Sequence, residues 1–367
     1  MQSPVKSALI LPEKYYLDHF NEFLAYTQTH CAALLLPAHH DFIQRFKQMA
    51  HNTQCMFVRV VNRKGSFIAC STLTYGEIED CQRALALLTE CGVLRSIVAS
   101  DVSTLLDTLN KAQLVELLSS QQVTFKKSAA KAVLLTLARA LSADAITQHT
   151  LCDDFKVKTF VNEWQYLLFL FFGNLNSALD KFSMRDLGVL KTRNKSKQQG
   201  PRFDGIEEAQ SAFYFAQQKQ RLGFLCPEGL IALAQQQELQ QTPIGATANE
   251  YAAHFWYEIG CALLAIDCEN AKTRALAFWR LSSHQKAQER LIRETYNFDK
   301  ERAKLALETL LDAPKDDELS LFAFDFYQRK INKAKLSVRT QRLREHSHKL
   351  YIDDVYKDRV ELGVKRY

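Results

Sequence analysis

The stretch from Cys55 to Ile97 constrains this chain most, because it changes character three times within about forty residues. Met56 to Asn62 is apolar and β-branched apart from Arg59, the composition of a short buried strand. Arg63-Lys64-Gly65 follows as a basic turn, which must face solvent. From Tyr75 to Cys91 the apolar positions Ile78, Cys81, Leu85 and Leu88 recur at helical spacing, and Gly92 stands where a helix end wants a left-handed residue. The spacing therefore predicts a compact mixture of helix and short strand with a cationic tip.

Upstream, Tyr16, Phe20, Phe23, Leu24 and Thr27 keep a three-to-four spacing, so a long helix should follow Leu11-Pro12-Glu13. Pro37 separates it from a second helix over His39 to Ala50. Read with these, the order Tyr15-Tyr16-Leu17, Val58-Arg59, Arg63-Lys64-Gly65, Leu73, Tyr75, Glu77-Ile78 and Gly92-Val93-Leu94 resembles the Fanconi-associated nuclease family. Members of that family end in a VRR-NUC nuclease domain. The resemblance implies that residues 1–100 form a winged-helix-like DNA-binding domain.

At 367 residues, 47% of them hydrophobic, the chain is long enough for two or three cores. Its longest apolar run, Tyr166 to Phe172, is far short of a bilayer span, and Lys6, Glu13 and Lys14 do not suit a signal peptide. The expected setting is cytoplasmic, nucleoid-associated and without membrane contact. The nine cysteines include no C-x-x-C pair and read as small buried hydrophobes, not as a disulfide framework or zinc site. His346 and His348 lack a third ligand within reach and read as a solvated face.

A net charge of +6 says little about nucleic acid; the distribution says more. Positive charge gathers at Arg59, Arg63 and Lys64, at Lys126, Lys127 and Lys131, from Lys181 to Arg202 (including Arg193, Lys195 and Lys197), and from Arg329 to Lys349. In residues 101–145 two short helices are expected around a polar link, with Leu109, Leu114, Leu117, Leu118, Val133, Leu134 and Leu137 forming a small core. Lysines opening the second helix oppose its dipole unless an anion is there to meet them. The segment is similar to the SAP module of the same family, which implies DNA binding; a helical hairpin with a wet lysine face is the plainer reading.

Residues 146–202 read as an aromatic bridging segment followed by a basic loop, and here Phe171-Phe172-Gly173-Asn174 and Asp186-Leu187-Gly188-Val189 again resemble bacterial members of the family. The loop suits either a solvated linker or a phosphate backbone. Residues 203–367 are helical by pattern, with no strict 34-residue repeat, and the family implies a TPR-like array here. Arg274, Arg280, Arg290 and Arg293 could project from it toward DNA.

No catalytic pattern is found. A VRR-NUC site would need acidic metal ligands, E-x-K and Val-Arg-Arg; none of the glutamates has lysine two positions on, and Asp154-Phe155-Lys156 is the nearest imitation. No catalytic or metal-ligating residue is assigned, and Mg or Mn is implied only for the complete family. The expectation is a mainly α chain, with a winged-helix-like domain, a SAP-like hairpin and a TPR-like array. It would be the part of a phosphodiesterase I-type nuclease of interstrand crosslink repair that binds branched or 5′-flap DNA, without the VRR-NUC domain, so that a separate nuclease chain is a further possible partner. The alternative is a helical-repeat protein scaffold without DNA binding.

Overall fold

The structure, a computed structural model, describes residues 13–126, 128–176, 202–236, 242–266, 268–312 and 317–333. Leu11 and Pro12 lie outside them. The chain divides into two compact units, residues 1–206 and 207–367, and is mainly α.

The first unit opens with α1 (Tyr15–His30), α2 (Pro37–Gln48) and α3 (His51–Val61). As the spacing predicts, Tyr16, Phe20, Phe23, Leu24 and Thr27 form the buried stripe of α1. Pro37 is the first residue of α2, where a missing N–H costs nothing. The expected strand at Met56 to Asn62 is instead the second half of α3. Cys55, Met56, Phe57, Val58, Val60 and Val61 are all buried, so this helix is apolar nearly all round, and the small helix penalty of valine is outweighed by its burial.

The strands lie elsewhere: β1 (Phe67–Ala69), β2 (Leu94–Ser96) and β3 (Phe155–Lys158). Between β1 and β2 runs α4 (Cys81–Glu90), capped by the Asp80 carboxylate, which accepts from Arg83 N at 2.8 Å. The expected helix thus starts at Cys81, not Tyr75, while Gly92 has the left-handed φ of +69°. β3 is central and antiparallel to both neighbours, in the order β1-β3-β2. Helix, strand, helix, strand and a returning central strand are the order of a winged helix, but the hairpin wing between β2 and β3 is replaced by residues 97–154.

That insert carries α5 (Val102–Thr108), α6 (Lys111–Ser120), α7 (Lys131–Arg139), α8 (Ala143–Thr147) and α9 (Thr150–Asp154). The expected leading helix is split because Asn110 caps a new one: its Oδ1 accepts from Gln113 N at 3.0 Å, and Gln113 Oε1 accepts from Asn110 N at 2.8 Å. Leu109, Leu114, Leu117, Leu118 and Leu134 form one core with Phe155 and Val157 of β3. Val133, expected inside, is half exposed, since α7 turns Leu134 and Ala138 inward instead.

The aromatic segment packs within the first unit. α10 (Val161–Phe172) brings Trp164 against Phe20 at 5.4 Å and Phe23 at 5.5 Å, and Gly173 ends it at φ +67°. The Tyr166 hydroxyl donates to the Leu34 carbonyl at 2.9 Å, and His39 stacks on the Tyr166 ring at 4.4 Å. His39 is 3% exposed, and its Nδ1 must be unprotonated to accept from Leu36 N at 2.9 Å. Burial, with His40 nearby, pushes it down from 6.5 to about 4. The unfolded chain therefore binds this proton more readily than the folded one. Stability is complete above pH 6.5 and falls by about 3 kcal/mol as the pH drops toward 4. Urea unfolding near neutrality and at pH 4 measures this, and His39→Leu should shrink the difference.

The second unit is a succession of helices: α11 (Ile206–Leu222), α12 (Pro227–Gln235), α13 (Ala246–Leu264), α14 (Glu269–Leu281), α15 (Gln285–Phe298), α16 (Lys300–Asp312) and α17 (Asp317–Phe326). Gly260 of α13 lies under the Trp279 indole, whose Nε1 donates to the Tyr257 carbonyl at 3.1 Å. The helical run over Thr273 to Tyr296 is two helices, because Ser282 leaves the helix to donate its hydroxyl to Ala253 O at 2.7 Å and accept from His284 N at 3.1 Å. Among the described residues no helix is long and apolar enough to cross a membrane. Of the nine cysteines, all unpaired, Cys31, Cys55 and Cys152 are buried but Cys91, Cys226 and Cys268 are exposed, so the burial reading holds only in part.

Candidate nucleic-acid interface

The basic turn lies between α3 and β1, not inside a hairpin. Gly65 takes a left-handed φ of +78°, which lets the chain reverse within a few residues. Arg63 and Lys64 are exposed there, beside an open cleft of about 450 Å³ that Asn62, Phe67 and Thr72 also line. One Arg63 Nη donates to the Tyr75 hydroxyl at 2.9 Å, which orients the guanidinium while leaving its other donors facing out. From below, the Lys158 ammonium donates to the Arg63 carbonyl at 2.7 Å.

Arg59 has a different role. Its Nε donates to Glu77 Oε1 at 2.9 Å, its Nη2 donates to the same oxygen, and its guanidinium lies 3.9 Å over the Tyr16 ring and 4.8 Å from that of Tyr75. The Tyr16 hydroxyl adds a third donor to Glu77 at 3.0 Å. Burial works against the Glu77 carboxylate, but hydrogen bonds from Arg59 and Tyr16 hold it below the usual range; burial pushes the Tyr16 hydroxyl up. The cluster braces α1 and α3 against the loop that leads into α4. Arg59 is thus held by a carboxylate and two rings within the domain, with its side chain 31% exposed.

In the insert, Lys126 and Lys131 are exposed, and Lys131 opens α7. Lys111 opens α6, and its ammonium lies 3.5 Å from the Ser128 carbonyl, so the start of α6 meets the approach to α7. The start of α6 thus lies beside the segment that carries Lys126 and leads to Lys131, and helix N-termini and lysines of this kind suit anions. Sequence reasoning missed Lys111 because it stands fifteen residues from Lys126 and looks isolated. Lys127, Arg193, Lys195 and Lys197 lie outside the described residues. The outward positions of α4 are Gln82, Arg83, Ala86 and Glu90, which carry no net charge.

Among the described residues no group of three His, Cys, Asp or Glu side chains could hold a metal ion. Asp154, the nearest imitation of a ligand, accepts from the Ser71 amide and hydroxyl, both at 2.7 Å, and so ties that loop to the end of α9. The Cys70 thiol is pushed up by burial and by Asp154, the opposite of an activated nucleophile.

In the second unit the four candidate arginines differ. Arg274 donates to Ala234 O at 3.2 Å and Asn270 Oδ1 at 3.0 Å, Arg293 lies 4.7 Å over Phe322 and 3.6 Å from Glu289, and Arg290 approaches Trp279 at 6.0 Å. Arg280 is exposed. A paired-histidine cluster was not visible in the sequence: the His254 and His284 rings lie 4.5 Å apart, and Tyr257 stacks on His284 at 4.7 Å. Both imidazoles are pushed down, by burial first and then by neighbouring positive charge that includes Lys219 for each and Lys286 for His284.

Residues 14–95 match the helix-turn-helix domain of FAN1. A Fanconi-associated nuclease 1 homolog of Arabidopsis thaliana is 26% identical over 205 residues, covering 52% of this chain and 22% of that protein. One of Pseudomonas aeruginosa is 27% identical over 194 residues, covering 51% of this chain and 34% of that protein. The fold is shared with crystal structures of paFAN1 bound to 5′-flap DNA with a gap. The complex with a 2-nt flap gives a TM-score of 0.72 at 20% identity over 89% of this chain and 59% of that one. The 1-nt complex gives 0.71 at 20% over 88% and 59%. This chain thus spans well under two thirds of the length of these relatives. The chain thus carries a FAN1-type helix-turn-helix domain at residues 14–95, is similar over about half its length to plant and bacterial Fanconi-associated nuclease homologs, and shares its fold with paFAN1.

Proposed function

We propose that this chain binds branched DNA of the 5′-flap type and is the DNA-binding and scaffold part of a structure-specific nuclease acting in interstrand crosslink repair. The observation that carries the reading is the open cleft at Arg63 and Lys64, on the domain that matches the FAN1 helix-turn-helix. The lysine corner of the insert, Lys111, Lys126 and Lys131, adds a second set of phosphate contacts. With an outer face on α4 that carries no net charge, binding follows the shape and charge of the duplex more than its base sequence. Phosphodiester hydrolysis, with Mg or Mn, belongs in this reading to a VRR-NUC domain or a separate nuclease chain, and the described residues alone do not cut. The setting is the nucleoid.

Fluorescence anisotropy with labelled 5′-flap, nicked and blunt duplexes over a salt series tests this. The flap should bind about tenfold more tightly than the blunt duplex, and log K should fall by about 0.9 per log unit of salt for each phosphate engaged. Equal, salt-insensitive binding to all three would leave a protein-binding scaffold as the better reading.

A further inference from the structure

Lys158 is the least expected charge in the first unit. It is 8% exposed, stands on the central strand, and makes its one side-chain hydrogen bond to a carbonyl. The register Leu94↔Lys158 places it on the sheet face opposite Phe155 and Val157, toward the end of α3. No carboxylate pairs with it among the described residues. The charged groups on the elements around it are Arg63 and Lys64 on the turn, Arg59 on α3, paired to Glu77, Lys156 on its own strand, bonded to Ser96, and Arg95 on β2, paired to Asp101. An unpaired buried ammonium is costly, and a methionine would fill the same volume. The carbonyls at the end of α3 offset part of that cost, because the negative end of a helix dipole favours a cation.

We propose that Lys158 is a positioning residue for the phosphate-binding turn: its ammonium holds the Arg63 carbonyl from beneath, and its charge adds to those of Arg63 and Lys64. The inference rests on the reading of that turn as a DNA contact. It also has a consequence that a purely structural stitch would not have. Burial lowers Lys158 from its ordinary range to about 8, so near pH 8 the ammonium is about half populated in the free protein. A phosphate backbone on the turn favours the charged form, and DNA binding in that range takes up part of a proton.

The test is calorimetric titration of the full chain with 5′-flap DNA near pH 8, in two buffers of different ionisation enthalpy. The wild type should take up a fraction of a proton. Lys158→Met should bind about fivefold more weakly, the worth of one charge-assisted hydrogen bond, with no uptake. Lys158→Arg, always charged, should bind as the wild type does and also without uptake. If Lys158→Met keeps both affinity and proton uptake, or Lys158→Arg keeps the uptake, Lys158 is only a stitch. Should Lys158→Met fail to fold by circular dichroism, the arginine variant decides alone. Failure of the wild type to bind flap DNA overturns the underlying reading as well, whereas normal binding with unaltered Lys158 variants overturns this inference only.

Discussion

Reversing both charges of the basic turn, Arg63→Glu with Lys64→Glu, is expected to weaken flap binding by about a hundredfold or more at moderate salt, while leaving the fold intact. The turn removes two cations from the phosphate path and substitutes two anions; each lost contact also lowers the salt slope by about 0.9, so the slope should fall by about 2. Both side chains are exposed, and only Arg63 makes a side-chain bond, to the Tyr75 hydroxyl. Stability should therefore change by less than about 0.5 kcal/mol. Gly65 is left in place, because its positive φ carries the reversal. Anisotropy and urea unfolding on the same protein separate the two effects. Unchanged affinity with an unchanged slope would remove the turn from the interface.

Arg59→Ala should do the reverse: a stability loss of about 3 kcal/mol, with DNA binding affected only as far as the domain loosens. The Glu77 side chain is 9% exposed and that of Arg59 31%, so removing the guanidinium strands a nearly buried carboxylate that keeps the Tyr16 hydroxyl and its own backbone N–H as donors but no cation. It also removes the planar group that fills the space beside the Tyr16 and Tyr75 rings. The double change Arg59→Met with Glu77→Leu should cost less than Arg59→Ala alone, since no charge is left behind. Hydrogen exchange across α1 and α3 locates the loss. If Arg59→Ala unfolds at the wild-type urea concentration, the cluster is not the brace that its geometry describes.

The difference between Arg59 and Arg63 could not be read from their spacing. Four residues apart, they look like one basic patch; the helix that carries Arg59 turns it toward Glu77, eighteen residues on, and the turn that follows leaves Arg63 outside. Lys158 was hidden for the same reason, because the carbonyl it holds is 95 residues away in sequence. Lys111 meets the residues before α7 only because the insert folds back on itself.

Local chemistry sufficed wherever a residue's role depends on its neighbours in the chain. The buried stripe of α1, the left-handed Gly92, the basic turn at Arg63-Lys64-Gly65 and the leucines of the insert could be read directly, because helical periodicity and glycine's steric freedom act over a few residues, whereas Pro37 reads as a break before a helix at His39 and is itself the first residue of α2. Met56 to Asn62 shows where that ends. Its valines would suit a strand, but they are enclosed on every side, and burial of that kind outweighs propensities worth tenths of a kcal/mol each. The sheet exists only because β3 returns after residues 97–154 to pair with two strands of three residues each, neither long enough to announce itself. Sequence alone determined most of the helices, wherever periodicity marked them, and where the loose charge lies. Tertiary structure decided which of those charges are paired inside the fold and which stay exposed, because desolvation and pairing depend on what the folded chain brings alongside.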